Sequence, residues 1–278
     1  LEISDLDNLG GDTGALVLAG GTLRLSATYS GDDLSLRAIN LLAAGGTLDT
    51  NGNSPVLAGS LGSGVGGLNK TGLGSLTLNA AASYTGATTL SQGSIVLGAD
   101  NGIGSGPLNL AGGTSLDLGA FNVSTGLVTL SGASPAILGT GAIHSSAGFF
   151  FNHTGDATVT AQLNGAGGLL KTQNNILTLN AANGYTGRTE VRAGTLVFDS
   201  ITPIGGGASA LGNPSTVLDG IITMGLTTTA TTLTYTGAGH NSDRLIGLQG
   251  TTGGLTINAD GTGGIGFGGA TGIVPGVK

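Results

Sequence analysis

Short runs in which apolar and polar residues alternate recur along almost the whole chain: SIVL, PLNL, SLDL and LVTL among them. Alternation with a period of two puts successive side chains on opposite faces of an extended backbone, so each run predicts a strand with one buried face. Between the runs lie AGGT, TGAT, SQGS, NGIGSG and TGLG, where glycine supplies the positive φ that tight turns need. Strands this short, broken this often by glycine, leave no room for helices of useful length. The stretch SGDDLSLRAINLLAAG (residues 30–45) opens like a capped helix, but its LSLRAINLL alternates equally well.

The runs are evenly spaced. Marking the last apolar residue of each gives Leu18, Leu36, Leu57, Leu78, Leu97, Leu118, Leu138, Val159, Leu179, Phe198 and Leu218, a nearly constant step along the chain. A second ladder runs Leu48, Leu68, Leu90, Leu110, Leu130, Phe150, Leu170, Val191 and Leu211. The longest internal match fits the same period. GLNKTGLGSLTLNAAASYTGATTLSQGSIVL (67–97) and GLLKTQNNILTLNAANGYTGRTEVRAGTLVF (168–198) align without a gap at an offset of 101 residues, about five turns of a 20-residue coil. Lys70 falls on Lys171, Tyr84 on Tyr185, Gly86 on Gly187 and Gly93 on Gly194. A fixed translation of this kind predicts an all-β chain, a parallel β-solenoid of about 20 residues per coil in which like residues stack. A compact β-sandwich also uses short strands and glycine turns but has no fixed translation. The ladders lose phase at 201–207 and 227–236, where a loop or an irregular coil must intervene.

The Lys-Thr-Gly opening, the Leu-Thr-Leu strand, the Tyr-Thr-Gly-x-Thr-Thr turn and the Gly-Ser-Ile-Val-Leu strand, in that order, resemble the autotransporter-associated β-strand repeat of bacterial surface proteins. The second copy keeps Lys171, Thr172, Tyr185, Thr186, Gly187, Thr189 and Gly194, but Gln173 to Asn175 replace the glycines after Lys-Thr. The resemblance implies a right-handed parallel β-helix from the passenger region of an exported protein, extracellular or held at the bacterial surface. Residues 1–278 are expected to form one continuous solenoid, a segment of a longer chain. A signal peptide ahead of LEISDLDNLG and an outer-membrane barrel beyond Lys278 are expected to belong to the rest of that longer chain. The ends read as cuts through that chain or as surfaces for head-to-tail joining.

Composition narrows the functions. The chain has 278 residues with 57 Gly, no Cys, 8% charged residues and a net charge of −7. Eight Lys and Arg, thinly spread, argue against nucleic acid or an anionic membrane surface as partner. No apolar run is long enough to span a membrane as a helix. No disulfide or thiolate metal site is available. No cofactor is implied, since GIGSG and GTGGIGFGG lack the helix that would hold a phosphate.

Polysaccharide-cleaving β-helices need clustered carboxylates on successive coils. Here Glu2 and Glu190 join thirteen Asp. Asp199 and Asp219, 20 apart, are expected to stack outward as solvated charges, with no catalytic role. Asp5, Asp7, Asp12, Asp32 and Asp33 form the most acidic region and read as turn aspartates rather than a calcium site. His144, His153 and His240 read as surface or turn histidines, so no metal site is expected. Alternation places Phe150 inward, and Phe149 and Phe151 outward. That makes the outer pair candidate contacts for carbohydrate or a neighbouring rod, unless a loop covers them. Tyr84 and Tyr185 are candidate surface contacts at matched turns, with packing at the repeat's corner favoured because the whole turn repeats.

The expected function is a non-enzymatic rod or stalk of a bacterial surface protein, with a possible adhesive role. A self-assembling filament or surface-layer subunit, joined end to end or packed side by side, is the alternative. A polysaccharide-binding or polysaccharide-degrading β-helix is the second.

Overall fold

The computed structural model of the chain describes residues 1–10, 14–29, 37–268 and 273–275. Leu36, Asp12, Asp32, Asp33 and residues 30–36 of the ambiguous stretch lie outside the described residues, as does the Asp7 side chain. The rest of that stretch carries a strand, Ile39–Leu41. The chain divides into two units, Leu1–Val128 with Pro135–His144, and Thr129–Ser134 with Ser145–Lys278.

In the first unit, one face is built by Glu2–Ile3, Thr22–Leu25, Gly46–Asp49, Leu68–Thr71, Thr88–Leu90 and Leu108–Leu110, each parallel to the next. A second face stacks Val56–Leu57, Ser75–Leu78, Ser94–Leu97, Ser115–Asp117 and Ala136–Leu138. Short strands such as Leu16–Leu18, Ile39–Leu41 and Leu61–Gly62 form a third. The chain therefore advances one coil at a time, as a parallel β-solenoid does. Leu68 pairs with Thr88 and Thr88 with Leu108, the same step along the chain each time. Each coil hides a few side chains in continuous rows, such as Leu76–Ile95–Leu116–Ile137. A buried leucine contributes about 2 kcal/mol, too little for one coil to stand alone, so stability resides in the stack.

The second unit repeats the scheme. Phe149–His153, Leu169–Lys171, Thr189–Val191, Ile222–Thr227 and Ile246–Gly250 pair in parallel on one face. Ala157–Val159, Ile176–Leu179, Gly194–Phe198, Thr231–Tyr235 and Leu255–Ala259 do so on another. Residues 199–221 interrupt it. They replace the expected coil with a long loop and one four-residue helix, Val217–Gly220. Buried polar side chains hold this loop. Asn183 accepts from the Leu163 amide and donates to the Ala210 carbonyl, both at 2.8 Å. Arg244 donates to the carbonyls of Gly220 (2.9 Å) and Leu211 (2.6 Å). Beyond the loop the register resumes, with Val191 on Met224 and Phe198 on Tyr235. Of the two stretches where the ladders lose phase, 201–207 is loop, while 227–236 contains the in-register strand Thr231–Tyr235.

Several ladder positions are shifted by one residue. Ile137 is buried and Leu138 stacks on the outward Asp117. Phe150 and Leu170 pair on the outer face, while Phe149, Phe151 and Leu169 point inward. Leu218 is 63% exposed in the loop helix. Where apolar residues are adjacent, a period of two has no phase of its own, and strand register decides it.

Candidate functional site

Each repeat buries a lysine. Leu68 faces inward, Asn69 outward and Lys70 inward, in a row with Leu48 and Leu90. Lys171 sits likewise between Phe151 and Val191. Both are 0% exposed. A buried ammonium is costly unless hydrogen-bonded, and turn carbonyls supply the partners. Lys70 Nζ donates to the carbonyls of Thr71 (3.0 Å), Gly72 (2.7 Å) and Gln92 (3.2 Å). Lys171 Nζ donates to Ala193 (2.9 Å) and to Gln173, the matched positions one repeat on. Burial lowers both amines to about 8, against the pull of Asp49 on Lys70 and Asp156 on Lys171.

Gly93 closes this cage. Its φ is +69°, and a Cβ there would lie 2.3 Å from the Gly74 oxygen and 2.9 Å from Lys70 Nζ. Gly194, at φ +75°, would meet the Asn175 oxygen at 2.5 Å. The repeated lysine and the repeated glycine are therefore parts of one structural device.

The repeated tyrosine belongs to a second device. Tyr84 Oη lies 2.6 Å from Thr88 Oγ1, and Tyr185 Oη 2.8 Å from Thr189 Oγ1. Burial pushes both phenols up to about 12, with the threonine bond opposing. A glycine of the following coil makes room for each ring. A Cβ on Gly104 would lie 2.4 Å from Tyr84 Cε2, and one on Gly212 would lie 2.7 Å from Tyr185 Cε2. Gly212 comes from the long loop, which thus delivers what a regular coil would.

The four aromatic residues named as candidate surface contacts are interior, which for Tyr84 and Tyr185 is the packed-corner alternative. Tyr84, Tyr185 and Phe151 are 0% exposed and Phe149 is 2% exposed. Phe149 packs its ring on Phe151 (centroids 6.3 Å apart) and on Tyr185 (6.1 Å). The outward placement of Phe149 and Phe151 is corrected by the pairing of Phe149 with Leu169 and Phe151 with Lys171, both inward.

His153 is also buried, not a surface residue. Its Nδ1 bonds the Gly155 carbonyl at 2.6 Å, and its Nε2 has no partner. His144 is exposed, and His240 bonds Tyr235 Oη through Nδ1 at 2.6 Å. Asp199 and Asp219 do not stack. Phe198 pairs with Tyr235, so the residue above Asp199 is Thr236, while Asp219 lies in the loop helix. No group of three or more His, Asp or Glu side chains among the described residues is placed to hold a metal.

Sequence reasoning missed the two lysines. The signal was present: Leu-x-Lys continues the alternation, so the repeated cation occupies an inward slot.

These coils and their two repeated cages define a β-solenoid repeat protein. The passenger-associated-transport-repeat family matches residues 68–97 and 169–198, spans that contain both cages and both tyrosines. The chain is therefore an autotransporter-passenger β-helix repeat protein. It is 35% identical over 260 residues, 92% of its length, to the adhesin BmaC autotransporter of Brucella suis biovar 1 (strain 1330). The chain spans 7% of that relative's length. No solved structure matches it.

Proposed function

We propose that the chain is a non-enzymatic structural stalk in the exported passenger of a bacterial surface protein, with adhesion carried on its outward faces. One observation carries this reading. The side chains that distinguish the repeat are all interior and engaged with the chain itself. Lys70 and Lys171 bond carbonyls of the next coil, and Gly93 and Gly194 close over them. Tyr84 and Tyr185 bond a threonine of their own coil and pack against a glycine further on. Catalytic cations and phenols need access to a substrate, whereas these bond to the chain's own carbonyls and hydroxyls. The similarity to a protein named as an adhesin supports the adhesive part.

The test is surface display of the chain on a laboratory bacterium through a heterologous outer-membrane barrel. Attachment to glycan-coated and protein-coated surfaces is measured beside release of soluble sugar from the coating. Attachment above a barrel-only control, without sugar release, is expected. Sugar release would overturn the non-enzymatic reading, and attachment equal to the control would overturn adhesion.

A further inference from the structure

We infer that the corner groove of the first repeat binds a neutral, hydroxyl-rich polysaccharide chain, an inference that rests on the adhesive reading above. The groove has a volume of about 340 Å³, in the range of small-ligand sites.

Its floor exists because the coils approach closely at this corner. A Cβ on Gly45 would lie 2.6 Å from the Gly67 oxygen, and one on Gly67 would lie 2.3 Å from the Ala87 oxygen. Glycine is thus required for coil packing, and it leaves a bare trough along the stack.

The two walls differ in chemistry. One is apolar, with Ala44 exposed and Val65 71% exposed. The other is a polar row, Thr47, Asn69 and Thr89, in strand register, at steps of about 4.8 Å. Ser91 Oγ donates to Asn69 Oδ1 at 2.7 Å, which leaves the Asn69 amide NH2 turned to donate. The two threonine hydroxyls each offer a donor and acceptors.

Among the described residues no ionisable side chain lines the groove, so an anionic glycan or a phosphate would find no counter-charge. A peptide adding as a strand would need an unpaired edge, and Leu68–Thr71 is already bonded on both sides. A polyproline-type peptide would need aromatic walls, and no aromatic side chain lines the groove among the described residues. A neutral sugar chain meets both walls, its C–H faces against Val65 and its hydroxyl rim along Thr47, Asn69 and Thr89.

The second repeat supplies the contrast. At the matched positions Ala87 becomes Arg188, Asn69 becomes Leu170 and Thr89 becomes Glu190. Arg188 Nε and Nη2 lie 3.3 and 3.2 Å from the Leu218 carbonyl. The same backbone corner therefore tolerates a charged surface without the polar row, and of the two repeats the first has the neutral one.

That contrast provides the variant. Ala87→Arg, Asn69→Leu and Thr89→Glu together install the second repeat's outward residues, without the Leu218 carbonyl and the Arg192 side chain that hold Arg188 and Glu190 there. Binding of malto-, cello- and manno-hexaose to the whole chain is measured by calorimetry, with a poly-anionic hexasaccharide and an extended unglycosylated peptide as comparators. At least one neutral hexaose should bind, and the triple variant should weaken it tenfold or more with an unchanged melting temperature. Absence of neutral-hexaose binding, binding unaffected by the triple variant, or preference for the anionic or peptide probe would overturn the site. If displayed cells still attach with the triple variant in place, adhesion stands and this groove fails. Loss of attachment in the wild-type chain as well removes both.

Discussion

His153 and Thr50 occupy equivalent places, two residues along the strand from the inward neighbours of Lys171 and Lys70. Thr50 Oγ1 donates to the Leu73 carbonyl at 2.7 Å, part of the turn that cages Lys70. His153 instead sets an imidazole beside Lys171, with Nε2 buried and unpartnered. Burial, then the Lys171 charge, lowers its pKa below the ordinary 6.5, opposed by the Gly155 bond and Asp156. Because the folded value is the lower one, the unfolded chain binds the proton first as pH falls. The stability His153 contributes is complete above pH 6.5 and is lost as pH falls through the folded value. His153→Thr should flatten the acid limb of stability below pH 6.5, read as the urea midpoint across pH 4.5 to 7. An unchanged slope would exclude His153 as its source.

At the scale of the strand and turn, the lysine cages and tyrosine pairs oppose each other at alkaline pH. Lys70 and Lys171 fall from 10.5 to about 8 on folding. Between those values the unfolded chain holds more protons, so stability rises with pH. Tyr84 and Tyr185 rise from 10.0 to about 12. Between those values the folded chain holds more protons, so stability falls. The urea midpoint should therefore climb from pH 8 to about pH 10 and decline above it. Replacing both lysines by methionine should remove the climb, and replacing both tyrosines by phenylalanine should remove the decline. A flat profile in the wild-type chain would mean that the cages leave the amines at their ordinary values.

For the molecule, a solenoid makes coil number adjustable and coil phase fixed. Ser94 stands directly over Ser75, so removing residues 75–93 brings Ser94 into the vacated place. This deletion should give a shorter chain that still melts cooperatively and resists protease. Removing residues 75–84 alone should lower the melting temperature and broaden or split the transition, because the coils on either side of the cut would meet out of register. Equal behaviour of the two deletions in thermal melting would argue against register as the organising constraint.

The strand type, the coil length and the recurrence of Lys70 to Gly93 at Lys171 to Gly194 are all written in the order of the amino acids. Alternation and translation are properties of the chain that survive without coordinates. The lysines' inward position is written there too, through Leu68-Asn-Lys. The facing of Phe149, Phe150 and Phe151 is not, because three identical residues carry no phase and only pairing with Leu169 and Lys171 sets one. Stacking likewise determines that residues 199–221 leave the coil yet return Gly212 to Tyr185. Local pattern records which residues want to be buried. What they are buried against is a contact between distant parts of the chain, and that information exists only once the coils are stacked.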